Sequence, residues 1–446
     1  MVFNSVEFLL GFLPIFLLLY YLTPVRFRNI TLLVGSVVFY TYGEPRYIFL
    51  LMGSVAVNFI LGRYLYGRRW LFILAAAVNV LMLFFFKCMP LTEGFADKGG
   101  LPLGISFYTF QTISYLTDVY RGEIACERSI VRFGTYISMF PQLVAGPIVN
   151  YSEVSDDLKA RTYRLSYVDA GLKIFVAGLV LKVLLADRLA ILWHEIQTVG
   201  AVSISTPLAW MGAFGYSLQI YFDFYGYSLM AVGLGKMLGF SLPENFDLPY
   251  MSKSVREFYR KWHMTLGRWF KKYVYFPLGG SRKGTLRTCF NLFIVWALTS
   301  FWHGSSLNYF AWGMSLWLFI VLERLLDRRG FLEKSRVLSH CYVLFVIPLT
   351  WMCFAIPDFK ELLTYFGRMF GVVQGVNVNG ADAARAFYNY GVLFGVGILL
   401  CTPLPKKLFL KWKDSFAGMF ILAVLFWMCV EQIMKMGDNP FMYFRF

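Results

Sequence analysis

The chain has 446 residues, of which 58% are hydrophobic, 19% aromatic and only 15% charged. Soluble proteins carry about 25% charged residues, so two or three water-soluble domains, a disordered chain and a disulfide scaffold are excluded. The remaining charge is lopsided: 42 Lys and Arg stand against 26 Asp and Glu, a net of +16.

Apolar runs long enough to cross or enter a bilayer recur along the whole chain. The first, Phe8–Thr23, reads as a retained membrane helix. Glu7 precedes it, no Lys or Arg does, and no small-residue cleavage site follows. Further runs cover 30–42, 47–62, 70–86, 101–117, 171–192, 208–240, 290–302, 309–326, 341–356, 388–401 and 416–433. The run 130–149 is interrupted by Pro141 and Pro147, and 208–240 is long enough for a broken pair. The expectation is an all-α polytopic membrane protein of about 11 to 13 membrane helices, with residues 1–446 forming a single membrane domain. Arg26 and Arg28, then Arg63, Arg68 and Arg69, mark two cytoplasmic loops, which puts the N-terminus outside. The seven cysteines form no CxxC pair and read as free thiols. No cluster has metal-ligand spacing.

Residues 251–288 form the longest polar stretch. They hold ten Lys or Arg and a single acid, Glu257. Phe258, Trp262, Trp269 and Tyr273 recur at helical spacings, which predicts a basic amphipathic helix at the cytoplasmic membrane surface, its aromatics toward lipid. Such a stretch anchors on anionic lipid or binds a phosphate-bearing ligand. Arg260, Lys261, Arg268, Lys271 and Lys272 are the candidate donor-binding cations. Nucleic acid is not an expected partner.

Four histidines exist. His194 and His340 end apolar runs and read as headgroup contacts. His263 lies in the basic stretch, and His303 closes an apolar run in Ser300–Gly304. Ionisable groups at membrane depth are costly and point to function, and a neutral imidazole is the usual general base. Each could equally be paired to a backbone carbonyl. Asp223, within an aromatic run, could orient a histidine or close a structural hydrogen-bond network. Trp262 and Trp302, beside the two histidines, are candidate supporting residues. Gln111 and Gln142 read as interhelical hydrogen-bonders. Gly233, Gly235 and Gly239 lack a preceding strand and read as close-packing positions rather than a phosphate loop.

At this point the chain resembles the membrane-bound O-acyltransferases, specifically the bacterial alginate O-acetyltransferase-like branch. The resemblance runs from VFNSVEFLLGFLPIFLLLYYLTP at the start, through LPLGISFYTFQTISYLTDVYRG, MFPQLVAGPI, YFDFYGYSLMAVGLGKMLGF and PENFDLPY, to the closing NPFMYFRF. Its specific part is WHMTL, within REFYRKWHMTLGRWFKKYVYFPLGGSRKG, followed about 40 residues later by FWHG. Teichoic acid D-alanyltransferases share strings like these two, but the PLGG turn favours the acetyl branch. The resemblance implies a ring of helices around a thin central tunnel or funnel. It implies that His303, of FWHG, is the essential histidine and that His263, of WHMTL, is also required. It further implies an acyl donor that is acetyl-CoA or another acyl thioester, including an acyl carrier, with no tightly bound cofactor. The partners it implies are an extracytoplasmic acetyltransferase protein, a polysaccharide acceptor and membrane lipid, at the inner membrane of a bacterium. D-alanyl or other acyl transfer to a cell-wall polymer, and small-anion transport, are the alternatives left open.

Overall fold

A computed structural model describes residues 1–88, 101–143, 146–326 and 335–436. The closing NPFMYFRF string and two residues of MFPQLVAGPI lie outside the described residues. The described residues are helical, joined by turns, with no strand among them. Among the described residues five helices are long and apolar enough to cross a membrane: Arg69–Cys88, Leu307–Leu326, Arg336–Ala355, Asp382–Leu400 and Phe416–Met436. Glu7–Leu22 and Ile48–Tyr64 are shorter apolar helices. In Arg69–Cys88 only 28% of the apolar window is buried. Trp70, Ile73, Leu74, Leu81 and Phe85 are exposed on it, a surface that only lipid would cover favourably. The all-helical membrane class expected from composition is therefore present.

Two of the sequence expectations are corrected. The run 208–240 is not a broken pair: Thr206–Met237 is one helix of 32 residues. No proline follows Pro207 within it, and its interior glycines serve packing rather than breaks. The stretch 251–288 is not one amphipathic helix, as described below.

The chain divides into two compact units. The first comprises Met1–Leu179, Gly226–Glu244 and Phe426–Phe446. Its helices are α1 (Leu13–Leu22), α2 (Arg28–Gly43), α3 (Ile48–Tyr64), α4 (Arg69–Cys88), α5 (Ile105–Tyr120), α6 (Ile130–Ser138), α7 (Phe140–Leu143), α8 (Tyr151–Lys159) and α9 (Leu165–Val180), with the end of α11 (Thr206–Met237). α6 and α7 are separate because Pro141 cannot continue the hydrogen-bond ladder. Gln142 spans that break by donating to the Tyr136 carbonyl. Asn58 of α3 and Asn79 of α4 exchange reciprocal amide hydrogen bonds of 3.2 and 2.7 Å, a polar clasp suited to lipid surroundings. α9 lies directly against the end of α11. A Cβ at Gly233 would stand 2.6 Å from the Gly171 carbonyl oxygen and 2.7 Å from the Phe175 nitrogen. Gly178 faces Gly226 in the same way, one heptad along each helix. Gly235 is likewise closed over by Leu242, so the glycines of this segment pack rather than hold phosphate.

The second unit comprises Val180–Tyr225 and Asn245–Leu425. It contains a π-helical turn, Leu181–Ala186, then α10 (Asp187–Val199) and the first part of α11. After these come α12 (Val255–Lys261), α13 (Met264–Phe270), α14 (Gly284–His303), α15 (Leu307–Leu326), α16 (Arg336–Ala355), α17 (Phe359–Met369), α18 (Asp382–Leu400) and α19 (Pro403–Trp412). α14 and α15 form a close hairpin. Gly313 makes it possible, because a Cβ there would strike Ser300 and stand 3.0 Å from the Trp296 carbonyl oxygen.

Candidate active site

The basic stretch folds as a helix, a sharp corner, a second helix and a turn. α12 starts with a capping box: Ser254 Oγ accepts the Glu257 N–H at 3.0 Å, while Glu257 Oε2 accepts the Lys253 N–H at 2.9 Å. Glu323 of α15 caps it further, accepting the N–H groups of Val255 at 2.5 Å and Arg256 at 3.2 Å. The helix stops at Trp262, and His263 adopts φ 44°, ψ 53°. A left-handed conformation is uncommon outside glycine, and strain of this kind gathers at functional sites. α13 follows, then a π-helical turn, Lys271–Tyr275. The PLGG turn closes the stretch: Gly279 and Gly280 have φ of 103° and 59°, and Asn291 of α14 donates to the Gly280 carbonyl at 2.9 Å.

This corrects the expected lipid-facing helix. Phe258, Trp262 and Trp269 are buried. Trp262 packs against Phe246, Phe258 and Trp351, with ring centroids 5.1, 5.6 and 5.0 Å away. The seven-residue spacing from Trp262 to Trp269 runs across the break at His263, so it did not describe one helical face; packing within the unit buries the aromatics on both sides of the corner.

His303 ends α14, and Gly304 ends the helix where a side chain would collide with Tyr309. The His303 ring is 3% exposed and is enclosed by Trp302, Trp312 and Phe354 at 4.7, 4.9 and 5.3 Å. His263 is equally buried; Phe224 of α11 meets it edge-on at 4.7 Å. Burial pushes its imidazole down to about 3, so it is neutral near pH 7. The Trp302 ring lies 6.0 Å from His263 and 4.7 Å from His303, which joins the two histidines through one indole.

Both histidines line a single cavity of about 580 Å³. Tyr259, Trp296, Thr299 and Trp312 form part of its wall, and Arg256, Arg260, Arg268, Lys271 and Arg324 supply cations. Among the described residues no Asp or Glu lines it. Three of the five expected donor-binding cations, Arg260, Arg268 and Lys271, are thus at the cavity. Lys261 lies outside its lining and pairs with Glu257 at 3.0 Å. Lys272 also lies outside, with its ammonium 5.1 Å from the centre of the Tyr273 ring. Sequence reasoning did not single out Arg256 or Arg324 as cavity residues. Arg256 was legible as one helical turn before Arg260. Arg324 was not, because it arrives on α15.

Asp223 is buried and meets Lys182 Nζ at 2.6 Å; Lys182 also meets Asp187 at 2.6 Å. The carboxylate flagged in the aromatic run is therefore part of a buried ionic triad. Lys182, carried on the π-helical turn, is its centre and was not anticipated, although a lysine inside the apolar run 171–192 is the same kind of signal as a buried histidine. His340 Nδ1 lies 3.1 Å from the Ser252 carbonyl, and His194 is exposed on α10. All seven cysteines are free thiols. Among the described residues no group of three or more His, Cys, Asp or Glu is arranged to hold a metal ion.

Two buried histidines thus share one cavity with five cations, and among the described residues no carboxylate lines it. The membrane-bound O-acyltransferase family model matches residues 127–367, a span that contains both histidines. The chain belongs to the membrane-bound O-acyltransferase family and is an O-acyltransferase. Within the family it groups with the alginate O-acetylase-like branch. It is 32% identical to the probable alginate O-acetylase AlgI of Pseudomonas putida across 100% of both chains. It is 37% identical to the protein of that name from Pseudomonas fluorescens, over 89% of this chain and 83% of the other. The peptidoglycan O-acetyltransferase of Helicobacter pylori is 31% identical over 85% of this chain and 81% of its own.

Proposed function

We propose that this protein moves an acetyl group from a cytoplasmic acyl thioester, acetyl-CoA or an acetylated carrier, toward an extracellular polysaccharide. The observation that carries the proposal is the shared cavity: His263 and His303 open onto one space with five cations and, among the described residues, no carboxylate. The phosphates of the donor are held by Arg256, Arg260, Arg268, Lys271 and Arg324, since cations in a low-dielectric cleft focus their field on an anion. The thioester arm extends between the aromatic walls toward the histidines.

In the transfer step His303 takes the proton of an attacking hydroxyl. A C–O bond forms at the acyl carbon, the C–S bond breaks, and the thiolate leaves and recovers the proton. His263 orients the donor carbonyl or shares the proton. The acceptor is a hydroxyl of an extracytoplasmic acetyltransferase partner or of the polymer itself, and the setting is a bacterial inner membrane. Names of the relatives, alginate and peptidoglycan O-acetylating proteins, support an acetyl group and a polysaccharide destination.

The test is acyl transfer from radiolabelled acetyl-CoA by the purified full chain in proteoliposomes. Label should pass to a hydroxyl-bearing acceptor, and His303→Ala should remove it. Uptake of label without covalent transfer would point to transport instead. Full activity of His303→Ala would remove the histidine from the reaction.

A further inference from the structure

Asn245 is the residue around which the His263 corner is built. Its backbone carbonyl accepts the Met264 N–H at 2.9 Å. Its side-chain Oδ1 accepts the Thr265 N–H at 3.2 Å and the Thr265 hydroxyl at 2.7 Å, and lies 3.3 Å from His263 Nδ1. Two residues on, the Asp247 N–H donates to the Lys261 carbonyl at 3.0 Å. Asn245 therefore contacts three consecutive residues, Met264 through its backbone and His263 and Thr265 through its side chain, where the backbone turns left-handed at His263.

The chemistry of that contact is directional. An amide oxygen already accepting two hydrogen bonds can only accept from the imidazole, so Nδ1 carries the proton and Nε2 carries the lone pair. The partner of one ring nitrogen sets the state of the other. We infer that Asn245 is a positioning residue, fixing His263 in the Nδ1–H tautomer and holding its ring at the cavity wall. This rests on the functional role proposed above for His263. The charged and titratable groups that share the cavity with His263 are Arg256, Arg260, Arg268, Lys271, Arg324, His303, Tyr259 and Tyr275. The cations among them oppose an imidazolium, so an acceptor that is neutral keeps His263 uncharged, whereas a carboxylate in its place would not.

The experiment measures kcat, donor KM and their pH dependence from acetyl-CoA in proteoliposomes for Asn245→Asp, Asn245→Ala and Thr265→Val, with His263→Gln alongside. Asn245→Asp keeps the acceptor geometry but favours the protonated ring, since a carboxylate within about 4 to 6 Å raises a cation's pKa. The expected result is an acid limb of kcat displaced upward by about one pH unit or more, with donor KM unchanged. Asn245→Ala should lower kcat roughly tenfold or more, as loss of an oriented proton-handling group does. Thr265→Val removes a neighbouring hydrogen bond without touching the imidazole, and should lower the melting temperature while leaving the pH profile in place. The inference is overturned if Asn245→Asp keeps the wild-type profile, or if Thr265→Val reproduces its shift. Full activity of His263→Gln would instead overturn the role of His263 itself, which separates the two failures.

Discussion

Each unit contains a basic cavity, and the two use positive charge in opposite ways. In the first unit a cavity of about 350 Å³ is lined by Arg128, Arg132 and Lys159 together with Glu127 and Tyr151. Glu127 is buried and grips Arg132 through two hydrogen bonds of 2.7 and 3.0 Å, while Tyr151 donates its hydroxyl to the same carboxylate. Burial alone would push the Glu127 carboxyl up. Arg132, Tyr151 and the Ser129 N–H outweigh it and hold it down at about 2. That cluster consumes its own charge in joining the 121–129 connection to α6 and α8. In the second unit five cations line the cavity and, among the described residues, no carboxylate does; Glu257, 3.8 Å from Arg260, stays outside the lining. In the first unit the acid sits inside the cavity with its cations, and in the second the lining itself carries only positive charge beside two buried histidines.

The sharpest way to break this comparison is at the histidines. His303→Ala should reduce acyl transfer by about 10² to 10⁴, the usual worth of a proton-handling group, with unchanged membrane insertion and melting temperature. Arg132→Ala in the other cavity should leave kcat in place and lower stability instead, because it strands the buried Glu127 carboxylate; thermal unfolding in detergent and the transfer assay separate these outcomes.

Next in size is a packing test of the first unit. Gly233→Leu would force α9 and α11 apart where backbone touches backbone, and overpacking of this kind costs about 1 to 3 kcal/mol. The expected outcome is a lower melting temperature, with donor KM unchanged in the protein that folds. Charge removal at the second cavity should act differently. Arg268→Gln and Arg260→Gln should raise donor KM several-fold, and more so at low salt, where screening is weakest. Lys261→Gln and Lys272→Gln, outside the lining, should change it little. A donor titration at two ionic strengths distinguishes the pairs.

The smallest effect is a pH slope. The folded-state value of Glu127 lies below its ordinary 4.5. Its stabilising contribution is therefore present above about pH 4.5 and fades as pH falls toward about 2. Melting temperatures across that window should show the slope in the native chain and a flatter one in Glu127→Gln.

Much of the site was legible before any coordinates. His263 and His303 stood out because imidazoles are rare in this chain and sit in apolar or basic surroundings. The PLGG turn was a local signal, and Gly279 and Gly280 adopt the positive φ that glycine permits; the capping box at Ser254 and Glu257 is equally local but was not singled out. Asn245 was visible only as part of the PENFDLPY string, with no hint of its role. Its contacts to 263–265 cross 18 to 20 residues, and no local propensity encodes such a pairing. Lys182 was hidden for another reason. A single lysine in an apolar run reads as an interruption until Asp187 and Asp223 are seen to surround it.

Composition by itself determined the solvent: few charges and many apolar runs require a bilayer, and the placement of the basic excess located the polar stretch at 251–288. Periodicity correctly placed Phe258 beside Trp262 and Trp269 beside Tyr273. Only the tertiary structure decided that Phe258, Trp262 and Trp269 face inward, that the helix breaks at His263, and which cations meet the histidines. The physical reason is burial. A helical face rich in Trp and Phe is equally at home against lipid and against other aromatics, and only the packed neighbours, here Trp351 and Phe246 against Trp262, choose between them.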